Sequence, residues 1–129
     1  MSEKEPKFYA CGKCGVVIEE IHGGKTSYSC DGIELTELSA NTSEGAHEKH
    51  LPVVERSGNK VTVKVGSVFH PMSEEHSIEW IYLKTKKGCQ RINLKSSDEP
   101  AAEFILTDGD EPEAAYAYCN LHGFWKTEI

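Results

Sequence analysis

The segment "NKVTVKVGS" (Asn59 to Ser67) sets Val61, Val63 and Val65 at alternate positions, with Thr62 and Lys64 between them. A period of two puts the valines on one face of an extended strand and the polar residues on the other. A strand with one apolar face must bury it against a second layer, so this stretch demands a sheet packed on something else. "SIEWIYLKT" is a heavier strand with large residues on both faces, and "LPVVE", "AEFILT" and "EAAYAYC" read as further strands. "SGN", "KKG" and "DGDEP" supply the turns. No convincing amphipathic helix interrupts the series. The expected class is mainly β, an immunoglobulin-like β-sandwich of about 85 residues. A chain of 129 residues with 38% hydrophobic content can bury one such core and carry a small appendage.

The appendage lies at the front. The stretch from Phe8 to Leu38 carries "CGKCG", Gly23, Gly24 and "CDG", and its large aliphatic residues are sparse: Val16, Val17, Ile18, Ile21, Ile33, Leu35 and Leu38. Segments below about 40 residues seldom fold on so little without a metal, a disulfide or a partner surface. The division expected is a domain over residues 1–38, a polar linker "SANTSEG" over 39–45, and the sandwich over 46–129. No internal repeat or low-complexity tract is visible.

The net charge of −7 argues against nucleic acid as a partner, since phosphate contacts need clustered Lys and Arg. No apolar run approaches the roughly 20 residues of a membrane span, and "MSEKEPKFYA" lacks the apolar region of a signal peptide. A cytoplasmic location is expected. Thiols stay reduced there, so the five cysteines point to metal ligation rather than a disulfide framework.

"YAYCNLHGFWK" places Cys119 and His122 three residues apart, with Gly123 relaxing the backbone behind them. Both side chains can turn toward one point, as for a shared metal, but two ligands do not make a site. The other histidines are at 22, 47, 50, 70 and 76. His50 falls just before "LPVVE", His70 after the valine strand, and His76 just before "SIEWIYL", all at strand ends where loops build sites. Any one alone reads as a solvated or hydrogen-bonded histidine. Four imidazoles and a thiolate at strand ends of one small sandwich point to a metal.

"EKHLPVVE", "VGSVFHPMSEEHSIEWIYL" and "YCNLHGFWK" closely resemble the iron-binding domain of the desulfoferrodoxin and neelaredoxin family, the superoxide reductases. The likeness runs from about Asn41 to Lys126, in order and spacing. "KFYACGKCGVVIE" resembles the small desulforedoxin domain, a metal knuckle, that precedes it in desulfoferrodoxins. The resemblance implies a mononuclear catalytic iron bound by His50, His70, His76, His122 and Cys119, with the imidazoles equatorial, the thiolate axial and one position open. That implication agrees with general chemistry. Zinc prefers four tetrahedral ligands and does no redox chemistry. Five nitrogen and sulfur ligands suit a metal that must bind and reduce an oxygen species, and a thiolate donates electron density toward it.

Glu48 and Lys49 match the family's "EKH". The resemblance implies that the carboxylate caps the open position in the oxidised state, and that the lysine attracts the anion and assists its protonation. Taken alone, a Glu-Lys pair is a solvated strand entrance. His22 and His47 match no ligand position and read as surface residues. Trp80 and Trp125 read as packing, Pro71 as shaping the loop that aims His70, and Cys89 as a buried structural thiol.

The first domain departs from the family. Desulforedoxin domains use four cysteines, and here Cys11, Cys14 and Cys30 are followed by Asp31. Two readings stay open: a zinc or second iron site completed by the carboxylate, or an empty site with the fold held by the sandwich or a dimer partner. For the whole chain the resemblance implies reduction of superoxide to hydrogen peroxide, a rubredoxin-like electron donor and a homodimer. The competing reading is a non-catalytic iron-binding electron-transfer protein of the same fold.

Overall fold

The computed structural model describes residues 5–43 and 45–129. The described residues form two compact units, one running up to Ser39 and one beginning at Ala40. In the first, β1 (Lys7–Ala10) pairs antiparallel with β2 (Val17–Glu20) and with β5 (Thr36–Glu37), while β3 (Ser29–Cys30) and β4 (Ile33–Glu34) make a separate hairpin. Asp31 and Gly32, the two residues of that hairpin's turn, have φ of 50° and 78°. Positive φ at both central residues is the type I′ requirement, and Asp-Gly is among its preferred sequences. Asp31 therefore has a backbone role, apart from any role as a ligand. Phe8, Cys11 and Leu35 are the buried hydrophobic residues here.

The second unit is the sandwich expected from the sequence. One sheet orders β10 (Ala101–Ile105), β7 (Lys60–Val65) and β6 (Pro52–Ser57). The other orders β12 (Gly123–Glu128), β11 (Pro112–Cys119), β8 (Ile78–Thr85) and β9 (Cys89–Asn93). All pairings are antiparallel. Val61, Val63 and Val65 are fully buried, as their alternation predicts, against Ile81, Leu83, Phe104, Ala115, Ala117 and Cys119. Burying each large apolar side chain contributes about 1.5–3 kcal/mol.

The heavy strand β8 is explained by its second face. Tyr82 lies edge-on to Tyr116, Trp80 stacks on Tyr118, and Tyr116 stacks on Phe124, at 5.7, 5.5 and 5.4 Å between ring centres. Cross-strand aromatic pairs thus cover the outer face of the four-stranded sheet with its own side chains.

The structure departs from the sequence reading in its strands, in a helix and in one thiol. β9 and β12 are strands beyond those the sequence pattern marks, and a helical turn, α1 (His47–His50), precedes β6. Cys89 is not a buried structural thiol: it opens the edge strand β9 and is exposed, because the odd positions of that strand face outward.

Candidate metal centre

Four separate loops deliver the site. Cys119 ends β11, which is flanked on both sides by β12 and β8 and is therefore held rigidly. The hairpin Asn120–His122 turns directly into β12, with Cys119 opposite Gly123 in register and Gly123 at φ 79°. A three-residue hairpin with a left-handed glycine at its exit is a common tight connection, and it brings His122 back beside Cys119. The His122 Nδ1 atom lies 3.9 Å from Cys119 Sγ, and the His122 amide donates to that sulfur at 3.4 Å.

His50 is the last residue of α1, and its Nδ1 lies 2.7 Å from the Ala46 carbonyl. His70 follows a loop that folds back so that its amide donates to the Val65 carbonyl, and its Nδ1 lies 2.7 Å from the Pro71 carbonyl. A carbonyl can only accept, so in both rings Nδ1 carries the proton and Nε2 is left with a free lone pair. Pro71 thus aims the His70 imidazole through its own carbonyl. The two Nε2 atoms face each other at 3.1 Å. Two lone pairs at that distance repel unless a cation lies between them.

The remaining supports are backbone contacts. Val68 N–H and Ser67 Oγ both donate to the Glu48 carbonyl, stitching the His70 loop to α1. That approach requires Gly66, since a Cβ there would lie 2.5 Å from the Glu48 carbonyl oxygen. Asn120 accepts from the Ser77 amide and donates to the Glu75 carbonyl, tying the His76 loop to the Cys119 hairpin. Trp125 is fully buried, stacks on His50 at 4.9 Å, and donates from Nε1 to the His122 carbonyl.

The ligand atoms of His50, His70, His76, Cys119 and His122 all lie within 4.8 Å of one another. That spread is close to two metal–ligand bonds of about 2.0–2.3 Å, so one ion can reach all five. The Nε2 atom of His76 is buried with no hydrogen-bond partner, a cost that a bound cation removes. Burial lowers the pKa of His50 and His76, and brings that of His70 down to about 4. The charge of Lys49 adds to the lowering at His50 and His76. These imidazoles are therefore neutral and able to ligate at neutral pH. Burial raises the Cys119 thiol, opposed by the His122 and Leu121 amides. A soft thiolate among imidazoles suits a redox-active transition metal better than a hard cation.

Glu48 and Lys49 lie on α1 immediately before His50, both exposed. His22 and His47 are exposed, and His47 meets the edge of Trp125. Trp80 belongs to the aromatic face described above. In the first unit the Sγ atoms of Cys14 and Cys30 are 3.1 Å apart, while Cys11 is buried and Asp31 exposed. Among the described residues, the His₄Cys set is the one group of three or more such donors that converges. Sequence reasoning passed over Asn120, Gly66 and the Ala46 carbonyl. Asn120 had a visible signal, lying inside the Cys119–His122 motif.

The fold and site define a class: a β-sandwich metalloprotein with a mononuclear His₄Cys centre built at strand ends. The profile of the desulfoferrodoxin family matches residues 42–128, and the chain belongs to that family. The desulfoferrodoxin homolog of Archaeoglobus fulgidus is 44% identical over 92% of this chain and 94% of its own. The desulfoferrodoxin of Nitratidesulfovibrio vulgaris is 43% identical over 95% of each. The crystal structure of the superoxide reductase from Treponema pallidum superposes with a TM-score of 0.84 at 39% identity, covering 97% of this chain and 100% of that one.

Proposed function

We propose that the protein is a superoxide reductase, taking superoxide, one electron and two protons to hydrogen peroxide without producing oxygen. The observation that carries this reading is the convergence of four imidazoles and one thiolate within 4.8 Å. His50, His70, His76, Cys119 and His122 would hold a mononuclear iron, which supplies the one-electron chemistry. The hydrogen bonds from His50 and His70 to the Ala46 and Pro71 carbonyls fix the ring orientation and raise basicity at Nε2. The His122 amide stabilises negative charge on Cys119 Sγ.

Lys49 is the local attractor for a small anion in a protein of net charge −7, because steering follows the local field. Glu48 is the carboxylate that caps the site in the oxidised state. A rubredoxin-like protein supplies the electron, the chain works as a homodimer, and its location is the cytoplasm. Among the described residues no helix is long and apolar enough to cross a membrane. Cys11, Cys14, Cys30 and Asp31 have no part in this reaction.

The test is to add superoxide to the reduced protein and follow peroxide formation, oxygen and metal oxidation together. One peroxide per oxidised centre with no oxygen is the expected result. Oxidation without peroxide would favour an electron-transfer protein instead.

A further inference from the structure

Cys14 lies in the turn between β1 and β2, a loop closed by the Gly15 amide on the Cys11 carbonyl and the Cys11 amide on the Val16 carbonyl. Cys30 ends β3, directly before the Asp31-Gly32 turn. The two sulfurs stand 3.1 Å apart although the residues are 16 apart in sequence. A disulfide needs a sulfur separation of about 2.05 Å, so closure asks for a shift of roughly 1 Å. Both residues border turns where the backbone takes positive φ, at Gly15, Asp31 and Gly32, and such ends can absorb that shift. Cys14 is exposed and Cys30 half-buried, so the pair is open to a small oxidant, whereas Cys11 is buried.

We propose that Cys14 and Cys30 form a reversible dithiol–disulfide pair oxidised by hydrogen peroxide. The peroxide is the product of the reaction proposed above, and on that point the inference rests on that reading. The thiolate of Cys14 attacks one peroxide oxygen and the O–O bond breaks. Hydroxide leaves and takes up the proton that Cys14 released, giving water and a sulfenic acid. Cys30 sulfur then attacks the Cys14 sulfur, the S–O bond breaks, and a second water leaves with the Cys30 proton. Two thiols are oxidised by two electrons and one peroxide is reduced to two waters. The bond ties the β1–β2 turn to the β3–β4 hairpin in a unit with a small core, so oxidation tightens it.

The experiment uses the full chain carrying Cys89→Ser, which removes the exposed thiol able to bridge two molecules. Hydrogen peroxide is added, the protein is denatured and alkylated, and its peptides are weighed. Two alkylatable thiols should be lost, with residues 14 and 30 joined in one cross-linked peptide that a dithiol reductant releases. Adding Cys14→Ser should abolish the cross-link. Adding Cys119→Ser instead, which disables the metal centre, should leave cross-linking by added peroxide intact, so failure of the superoxide reading is scored separately. Full alkylation of Cys14 and Cys30 after peroxide would overturn the proposal, as would a bridge through Cys11. Iron or zinc held by the untreated protein and lost on Cys30→Ser, with the His₄Cys metal retained, would overturn it too.

Discussion

The two units of this chain hold cysteines in opposite ways. In the sandwich, a core of Val61, Val63, Val65, Ile81, Leu83 and Phe104 exists before any ligand is counted, and Cys119 is delivered by a flanked central strand. In the first unit, Phe8, Cys11 and Leu35 are the buried hydrophobics, and Cys14 and Cys30 sit at turns. One fold builds its site. The other depends on what its sulfurs do.

The largest effect expected is on the centre itself. Cys119→Ser should remove the thiolate-to-iron absorption band and cut superoxide reduction by orders of magnitude, while the sandwich stays folded on its own core. An unchanged band in the variant would remove Cys119 from the ligand set. Phe104→Ala comes next. Phe104 is 1% exposed within the core, and its truncation should cost about 3–5 kcal/mol and lower the midpoint of thermal unfolding. Phe8→Ala should leave that main transition in place. Equal losses from the two substitutions would mean that the units unfold as one, and the contrast would fall.

Acid sharpens the same contrast. In the metal-free sandwich the pKa values of His50, His70 and His76 are lowered by burial, His70 to about 4. An unfolded chain takes up protons at these residues near pH 6.5 while the folded one does not, so unfolding gains as pH drops. Stability should therefore fall between about pH 6.5 and 4 in chelator-treated protein, read by denaturant midpoint, and metal should suppress the slope down to the pH at which it is released. A flat midpoint across that range would mean that the imidazoles are not buried together.

Lys49→Ala should slow superoxide capture several-fold at low salt and leave iron content unchanged, with the difference shrinking as ionic strength rises. Equal capture rates at low salt would take Lys49 out of the mechanism.

The sequence made some parts of this legible and hid others for physical reasons. Alternation exposed β7, and residue weight exposed β8, because each buries what its pattern promises. β9, "CQRIN", carries one large apolar residue, Ile92, and an edge strand needs little more. The donors were visible because imidazole and thiolate chemistry is written in side chains. Their supports were not. The Ala46 and Pro71 carbonyls and the space above Gly66 are backbone features that exist only once α1 and the His70 loop meet. "CDG" carried two signals at once, ligand and type I′ turn, and the backbone at Asp31 and Gly32 adopts the second.

The smallest effect, and the most direct probe of the contrast, is Asp31→Cys. The substitution adds the thiolate that a four-sulfur site lacks, at a position where φ is 50° and Asp is a favoured turn residue. A left-handed backbone costs Cys about 1 kcal/mol more than a turn-forming residue, a modest charge on a unit with so small a core. If the first unit lacks only a donor, the variant should bind a second iron per chain and gain visible thiolate-to-iron bands. Superoxide reduction should hardly change, because the His₄Cys set is built entirely from the sandwich unit. Metal analysis and the absorption spectrum decide between the two cases. A variant that gains a thiol and no metal would mean that the Cys14–Cys30 pair, not a missing fourth ligand, governs this unit.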